Sequence, residues 1–533
     1  MKKLDDLSAG YKVRRAWLAF AVALFISLIV VPAIFVVTKM FTEWDLVSGV
    51  LDDPEAMSVI EGAVWNSFSI AFIVTLIDIV VGLPMAWIMV RRDFKGKRWL
   101  DTLLDIPLAF PTAVLGISVV MFWGAPDGVT IPGLGLDLSP YMMLILLHII
   151  FTYPYMVRSL SGILEQIDVN FETAAMTLGA SKFRAGLATG FILCFARSLS
   201  ETGGTYIALS MMGVESTFFT GPSYISWLKS GEAVSSADYM GAMILISVIM
   251  IVAALLLLVA VKWIIRRFKI PFKKVWPELG RMVSRGSLPK AKDFLTVAFL
   301  LVIVLLPSFY IFAYLAEPIP TVDYGMLLSS TGTSMLVAGV AVIVDIVLGV
   351  PLSLYIARHR NGKLANILDG LVNVPLIIPT TALGFSLALF WGSFGVSDSM
   401  ALVLVILGHI SFTYPLVVRN MIGAIEEVNP ECEEIAMTLG AKPFQAFRKI
   451  LMPIVKSSVI AGGILAFTRS LGETGATLAI SDKVNTVPIY ITQLVKDEAY
   501  AEAAICSIIL IVICFILMMA VRALTHRRQG RDA

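Results

Sequence analysis

Two short polar segments interrupt apolar stretches of the sequence, one in each half of the chain. Arg197-Ser-Leu-Ser-Glu201-Thr-Gly-Gly-Thr205 is answered by Arg469-Ser-Leu-Gly-Glu473-Thr-Gly-Ala-Thr477. Arginine and glutamate stand four residues apart, so on a helix they share one face and can neutralise each other. A charged group deep in a bilayer costs about 2.5–3.5 kcal/mol and must be paired or face water.

These segments have two interpretations. The ion pairs can lock the helix against its neighbours, or the segments can line a path or gate where the two halves meet. Small residues allow close backbone approach, and hydroxyl groups with exposed amides can solvate an oxyanion without a fixed full charge. The residues assigned to a path or gate are Arg197, Glu201, Thr202, Thr205, Arg469, Glu473, Thr474 and Thr477.

Further polar residues lie inside apolar segments. Asp78 and Asp345 each precede a proline by six residues. A hydrogen bond that packs helices and a role in a pathway or gate both fit these aspartates. His148 and His409 are interpreted as packing or hydrogen-bonding residues rather than as ligands.

The sequence offers no support for enzymatic or metal chemistry. The four cysteines, which include Cys194 and Cys432, show neither CxxC nor Cys/His spacing. The nucleotide-binding pattern GxxxxGK(S/T) does not occur. We therefore predict no catalytic residue, no metal site and no cofactor in this chain, and no nucleic-acid partner.

The elements that position these residues must be membrane helices. Hydrophobic residues make up 58% of the 533 residues and charged residues 15%, which is more apolar surface than a soluble core can hide. Segments long enough to cross about 30 Å of hydrocarbon predict an all-α integral membrane protein with twelve transmembrane helices. They lie near residues 17–37, 64–90, 102–123, 141–157, 185–212, 239–263, 294–315, 332–357, 367–391, 400–418, 457–480 and 503–523.

Lysine and arginine residues concentrate in alternate connections between these segments. The basic stretches are 2–15, 91–98, 266–292, 358–363 and 522–531. The positive-inside rule then places both termini and the long central connection in the cytoplasm of a multi-pass protein.

The chain is an internal duplication. DIVVGLP at 78–84 answers DIVLGVP at 345–351, and HIIFTYPYMVR at 148–158 answers HISFTYPLVVR at 409–419. Six segments per half make the two copies parallel in topology, related by an axis along the membrane normal. The predicted organisation is a first half 1–264 with a cytoplasmic loop near 165–184, a basic cytoplasmic linker 265–293, and a second half 294–533 with a loop near 426–456.

Each of these cytoplasmic loops carries a second repeated signature. FETAAMTLGA at 171–180 and CEEIAMTLGA at 432–441 stand 261 residues apart. Glu433, Ala436 and Gly440 have the spacing of a helix that ends at glycine, the residue that most easily takes the left-handed conformation. A short exposed helix with an abrupt end is typical of a docking element.

At these residues the chain resembles the permease subunits of binding-protein-dependent ABC importers. Their "EAA" loop reads Glu, Ala, Ala, Leu-Gly and, downstream, Ile-x-x-Pro. The second half matches this pattern with Glu433, Ala436, Leu439, Gly440, Ile450 and Pro453. The first half matches it with Glu172, Ala174, Ala175, Leu178 and Gly179.

The resemblance implies the ABC importer permease fold and a set of partners in a prokaryotic cell membrane. Two cytoplasmic ABC ATPase subunits would bind ATP and magnesium, and an extracytoplasmic solute-binding protein would deliver the solute. The residues implied for ATPase coupling are Glu172, Ala175, Gly179, Glu433, Ala436 and Gly440. The competing classes are an ion-coupled secondary transporter, in which the buried charges carry protons or ions, and a channel.

The solute is suggested by the Gly-Glu-Thr-Gly-Ala-Thr segment. It most resembles permeases for molybdate, tungstate and sulfate, which have an aromatic residue where Thr474 stands. Phosphate permeases have a Gly-Glu-Thr segment of their own, and fused halves are more typical of iron(III) and thiamine importers. We expect a tetrahedral oxyanion, with phosphate, iron(III) and thiamine as alternatives.

The two copies differ in length beside the docking signature. From Ala180 to Arg197 there are 17 residues, whereas from Ala441 to Arg469 there are 28, so the first half lacks 11. That is about three helical turns, or about 16 Å. We therefore expect the first coupling helix to lie closer to the membrane, or to dock less completely, than the second.

Overall fold

The computed structural model describes residues 11–124, 138–165, 182–230, 236–267, 288–316, 322–395 and 400–529. Throughout these residues the regular structure is helical. The first half comprises α1 (Tyr11–Phe25), a π-helical turn (Ile26–Val30), α2 (Val31–Thr42), α3 (Trp44–Leu51), α4 (Pro54–Arg91), α5 (Lys97–Ala109), α6 (Thr112–Trp123), α7 (Pro140–Glu165), α8 (Lys182–Leu199), α9 (Gly203–Met211), α10 (Gly221–Lys229) and α11 (Ser236–Arg267).

The second half follows the same order of long helices, with additional short helices between them. It comprises α12 (Leu288–Phe299), a π-helical turn (Leu300–Leu305), α13 (Leu306–Phe309), a 3₁₀ turn (Tyr310–Ala316), α14 (Tyr324–Arg358), α15 (Lys363–Val372), α16 (Val374–Ile377), α17 (Thr380–Gly392), α18 (Ala401–Glu426), α19 (Glu431–Thr438), α20 (Pro443–Ala446), a π-helical turn (Phe447–Leu451), α21 (Met452–Leu471), α22 (Gly475–Ile480), α23 (Val487–Lys496) and α24 (Tyr500–Gln529).

Nine helical segments among the described residues are long and apolar enough to cross a membrane, and eleven if each of two bent pairs counts as one crossing. The expected segment near 185–212 corresponds to α8 and α9. Its apolar part, Gly190–Leu199 of α8, is shorter than the nine segments just counted. The predicted fold class, an all-α integral membrane protein, is confirmed.

Two of the expected spans, near 102–123 and 367–391, are bent. α5 meets α6 at 103°, and α15–α16 meets α17 at 106°. Each bend contains two prolines four residues apart, Pro107 with Pro111 and Pro375 with Pro379. Proline lacks an amide donor and excludes the preceding residue from the helical region, so the chain is extended there, with ψ of 131° at Ile378.

Long helices form the wall of each half. α4 packs against α7, and α8 packs against both; α14, α18 and α21 repeat this arrangement in the second half. The polar signatures lie where α8 and α21 end, so this three-helix core holds them in place.

The first apolar segment of each half packs against the other half. α1 and α2 run along α14 and α17, and Phe25 stacks on Tyr414 with ring centroids 5.3 Å apart. Ser386 Oγ donates to the Pro32 carbonyl at 2.5 Å and accepts from the Val36 amide at 2.9 Å. This serine thus bridges a carbonyl and an amide that stand four residues apart. A side chain can insert between such groups, which otherwise form a hydrogen bond of the helix.

The beginning of the second half packs against the first half in the same way. Ser118 of the first half donates to the Pro307 carbonyl at 2.5 Å and accepts from the Ile311 amide at 3.0 Å. Tyr153 packs on Phe299 with ring centroids 5.5 Å apart. The two halves are therefore interlocked through their first helices, which the local sequence pattern did not indicate.

Candidate functional site

Each polar signature lies at a break in a helix. α8 ends at Leu199 and α9 begins at Gly203; α21 ends at Leu471 and α22 begins at Gly475. In each break a glutamate accepts from a backbone amide of the new helix, Glu201 at 3.2 Å and Glu473 at 2.9 Å. A carboxylate at a helix start satisfies an unpaired amide and complements the helix dipole.

The same glutamates neutralise the buried arginines. Arg197 Nη1 lies 2.6 Å from Glu201 Oε2, and Arg469 Nη1 lies 2.5 Å from Glu473 Oε2. Each glutamate side chain is 3% exposed. The ion pairs expected from the four-residue spacing therefore form in both halves.

An aromatic ring lies beneath each guanidinium group. Arg197 lies 5.6 Å from the ring centre of Phe151, and Arg469 lies 5.3 Å from that of Phe412. A desolvated cation over an aromatic face is stabilised by the ring quadrupole. Each arginine is thus fixed by both a carboxylate and a ring.

A histidine connects the two sides of each break. His148 Nδ1 lies 2.7 Å from Ser198 Oγ and its Nε2 lies 2.9 Å from Thr205 Oγ1. His409 repeats this with Ser470 at 2.6 Å and Thr477 at 3.0 Å. The expectation that these histidines are hydrogen-bonding residues is confirmed, and Thr205 and Thr477 are placed as their partners.

Each of the two buried aspartates contacts the helix that carries one of the histidines. Thr152 Oγ1 lies 2.5 Å from Asp78 Oδ2 and 2.8 Å from the His148 carbonyl. Thr413 Oγ1 lies 2.6 Å both from Asp345 Oδ2 and from the His409 carbonyl. Each aspartate therefore ties α4 or α14 to the histidine-bearing helix α7 or α18.

The two breaks touch each other across the interface between the halves. Thr202 and Thr474 are buried, and each faces a glycine of the opposite break. A Cβ atom on Gly475 would lie 2.5 Å from Thr202 Cβ, and one on Gly203 would lie 2.7 Å from Thr474 Cβ. Real Cβ atoms do not approach so closely, so this contact requires glycine at both positions.

Thr381 joins this contact from one half without a counterpart in the other. Thr381 of α17 forms a hydroxyl–hydroxyl hydrogen bond with Thr202 of the first half. The duplicated segments PTAVLG and PTTALG align Thr381 with Ala113. Thr474 Oγ1 has no hydrogen-bond partner among the described residues. The hydroxyl layer is therefore asymmetric.

The second docking signature forms a short exposed helix, α19. Ile435 is 58% exposed and Leu439, which follows the helix, is 83% exposed. The predicted end at Gly440 is confirmed: its φ is +92°, and the Ala441 amide donates to the Ala436 carbonyl at 2.9 Å. Ile435 and Leu439 therefore leave apolar side chains uncovered by the rest of the described chain.

An arginine attaches α19 to the membrane helices. Arg358, the last residue of α14, forms an ion pair with Glu433 of α19. Its Nη1 also donates to the Val428 carbonyl at 2.9 Å. Glu433 therefore has a partner within its own chain.

The first docking signature lies outside the described residues. This applies to Glu172, Ala175 and Gly179, and to the expected difference in reach between the two loops. Within the described ranges, no group of three His, Cys, Asp or Glu side chains is placed to hold a metal ion.

Known proteins share the pattern of both halves. The sequence model of the family "Binding-protein-dependent transport system inner membrane component" matches residues 78–270 and again residues 349–530. The chain belongs to this family. The expected resemblance to ABC importer permeases is confirmed, and the two matches confirm that the chain carries two copies of this unit.

Named relatives of this permease are transport subunits. The molybdenum transport system permease protein ModB of Mycobacterium tuberculosis is 31% identical over 207 residues, which are 36% of this chain and 77% of the relative. The sulfate transport system permease protein CysT of Salmonella typhimurium is 32% identical over 209 residues, 36% of this chain and 75% of the relative.

A probable sulfate transport system permease protein of Prototheca wickerhamii is 29% identical over 208 residues, 36% of this chain and 78% of the relative. In each case about a third of this permease aligns with about three quarters of the relative. One relative therefore corresponds to one half of this chain.

Sequence reasoning missed three residues of the permease site. Arg358, Thr381 and the bridging Ser386 were not singled out, although alignment of the two halves offers a signal for each. Arg358 aligns with Arg91, Ser386 aligns with Ser118, and Thr381 is notable because Ala113 replaces it.

Proposed function

We propose that this permease forms the transmembrane pathway of an ATP-driven importer of a tetrahedral oxyanion, such as molybdate, tungstate or sulfate. The substrate class is supported by the relatives, which are named as sulfate and molybdenum permeases. It is also supported by the chemistry of the interface, where hydroxyl groups are the available donors and each arginine is already paired.

The proposal of ATP coupling is supported mainly by the exposed helix α19. Ile435 of α19 and Leu439, directly after the helix, are both more than half exposed. A groove on a cytoplasmic ATPase subunit would bury these side chains, and a second copy of the ATPase would bind the loop containing Glu172, Ala175 and Gly179. In the proposed complex, ATP and magnesium bind to those subunits.

The arrangement of the halves supports alternating access. The breaks at Thr202 and Thr474 close the interface between the first half, 1–264, and the second half, 294–533. Closure of the ATPase subunits would push the coupling helices together and part this contact, and hydrolysis would restore it. In this scheme both termini and the linker 265–293 lie in the cytoplasm, and a solute-binding protein docks on the opposite face.

Reconstitution tests this function. The permease, its ATPase and its solute-binding protein are placed in lipid vesicles, and uptake of labelled molybdate, tungstate, sulfate, phosphate, iron(III) and thiamine is compared with and without ATP. We expect ATP-dependent uptake of an oxyanion. Uptake by the permease alone, driven by an ion gradient, would instead establish a secondary transporter, and uptake of only iron(III) or thiamine would refute the substrate class.

A further inference from the structure

Several buried hydroxyl groups occupy the place where the two halves meet, and one of them, Thr380 of α17, donates to the Ser200 carbonyl at 3.4 Å. Three others lie at the threonine–glycine contacts. Thr202 comes from the first half, and Thr381 and Thr474 come from the second. All three side chains are at most 2% exposed. They lie in or against the helix breaks that the tight threonine–glycine contacts hold together.

The charges beside these hydroxyls cancel. Arg197 and Arg469 each have a glutamate partner within 2.6 Å. An isolated arginine in a desolvated layer would hold a divalent anion strongly, whereas neutral hydroxyl donors can replace bound water and still release the ion. Conduction requires binding that permits both entry and exit.

The hydroxyls are not all engaged with each other. Thr202 and Thr381 form a hydrogen bond across the interface, but Thr474 Oγ1 is buried without a partner among the described residues. An unpaired buried hydroxyl costs free energy and is rare in folded proteins. The duplicated sequence offers a reason, because Ala113 occupies the position that Thr381 holds in the second half.

We propose that Thr202, Thr381 and Thr474 are specificity-determining residues at which the permeating oxyanion exchanges hydration water for hydroxyl donors. When the halves part, the Thr202–Thr381 hydrogen bond opens and Thr474 is already free to donate. Two of the three donors belong to the second half, so the oxyanion is held against α17 and α22. The inference rests on the proposed function and assigns its site.

Isosteric substitution separates the hydroxyl from the side-chain volume. Thr474→Val and Thr381→Val remove the donor, whereas Thr474→Ser and Thr381→Ser keep it. Thr75→Val is the matched control, because Thr75 is equally buried but donates within its own helix, to Ala71 at 2.7 Å. The readouts are ATP-dependent uptake of molybdate and sulfate by the reconstituted complex and the ATPase rate stimulated by the binding protein.

We expect each valine variant to lower oxyanion uptake roughly tenfold, the effect of losing about one hydrogen bond to a charged group. The serine variants and Thr75→Val should stay within about twofold of the unaltered complex. Stimulated ATPase activity should persist in all of them, since the coupling helix is untouched.

The outcomes distinguish the inference from the proposed function. Normal uptake by the valine variants, or equal loss in the valine and serine variants, overturns the inference alone. Absence of oxyanion uptake by the unaltered complex overturns the proposed function and the inference with it. If a valine variant fails to assemble, its serine counterpart still tests the requirement for a hydroxyl, because loss of uptake in that variant contradicts the inference.

Discussion

Arg358, at the end of α14, forms an ion pair with Glu433 on α19. The same guanidinium group donates to the carbonyl of Val428, which lies just before α19. A rigid membrane helix and the proposed docking helix are therefore joined by one side chain. This contact connects α19 to α14, which packs against α18 and α21.

Removal of this attachment should weaken coupling. Arg358→Gln should lower ATP-driven oxyanion uptake about ten- to 150-fold, because a hydrogen bond to a charged group contributes about 1.5–3 kcal/mol. The measurement is uptake by the reconstituted complex together with co-purification of the ATPase. Arg360→Gln is the control, since Arg360 is 74% exposed and pairs with Glu426 at 3.1 Å. Equal effects of the two substitutions would argue against a special role for Arg358.

The backbone at Gly440 should matter more than the space around it. No atom lies within 4 Å of a Cβ placed there, but φ is +92°. Gly440→Val should distort the end of α19 and reduce ATPase binding, because the left-handed conformation costs an ordinary residue about 1–2 kcal/mol. Gly440→Asn is the matched control, since asparagine tolerates this conformation. Membrane insertion should be normal in both, and indistinguishable ATPase binding would contradict the prediction.

The ion pair in the second break should stabilise the fold only as a pair. Glu473→Gln keeps an acceptor for the Ala476 amide but leaves Arg469 without its carboxylate. We expect a loss of about 3–5 kcal/mol in the free energy of unfolding, seen as a lower thermal midpoint of the purified permease. Arg469→Met combined with Glu473→Gln should recover most of the loss. A double variant no more stable than Glu473→Gln would count against this account.

The threonine–glycine contacts should limit leakage. Gly475→Ala would place a Cβ 2.5 Å from Thr202 Cβ, and overpacking of this kind costs about 1–3 kcal/mol. The closed interface should therefore be disfavoured, and the vesicles should leak oxyanion without ATP. Gly62→Ala serves as the control, because nothing lies within 4 Å of that position. Tight vesicles with Gly475→Ala would show that the contact is not a seal.

The first helices of each half pack against the opposite half, and these contacts should hold the halves together without the linker. Cleavage of the chain at a protease site inserted within 268–287 should leave two fragments that co-purify in detergent. Phe25→Ala with Ser386→Ala should weaken this association, because it removes the stacking on Tyr414 and the two backbone contacts of Ser386. Complete separation of the unaltered halves after cleavage would refute the prediction.

Local patterns in the sequence predicted much of this structure. The four-residue spacing of Arg197 and Glu201 predicted their pairing, and glycine after α19 predicted where that helix ends. Both features depend on residues close in the chain. The duplicated segments likewise predicted two halves with the same order of long helices.

Other features depend on contacts between distant residues. Apolar composition indicated spans near 102–123 and 367–391 but not the bends at Pro111 and Pro379, because hydropathy does not register the loss of a backbone amide donor. The bridges from Ser118 and Ser386 involve backbone groups in the opposite half. Neither spacing nor composition near these serines indicates which helix they contact.

The packing of each first helix against the opposite half also constrains the order of synthesis and folding. A ribosome releases α1 and α2 into the bilayer long before it has synthesised Tyr414 or Ser386, the residues on which they pack. The first helix must therefore wait, exposed to lipid or held by the insertion machinery, until the second half arrives. Because the two halves are fused in one chain, the second half is tethered near the first when it is synthesised. The first helices therefore pack against the half that belongs to the same polypeptide.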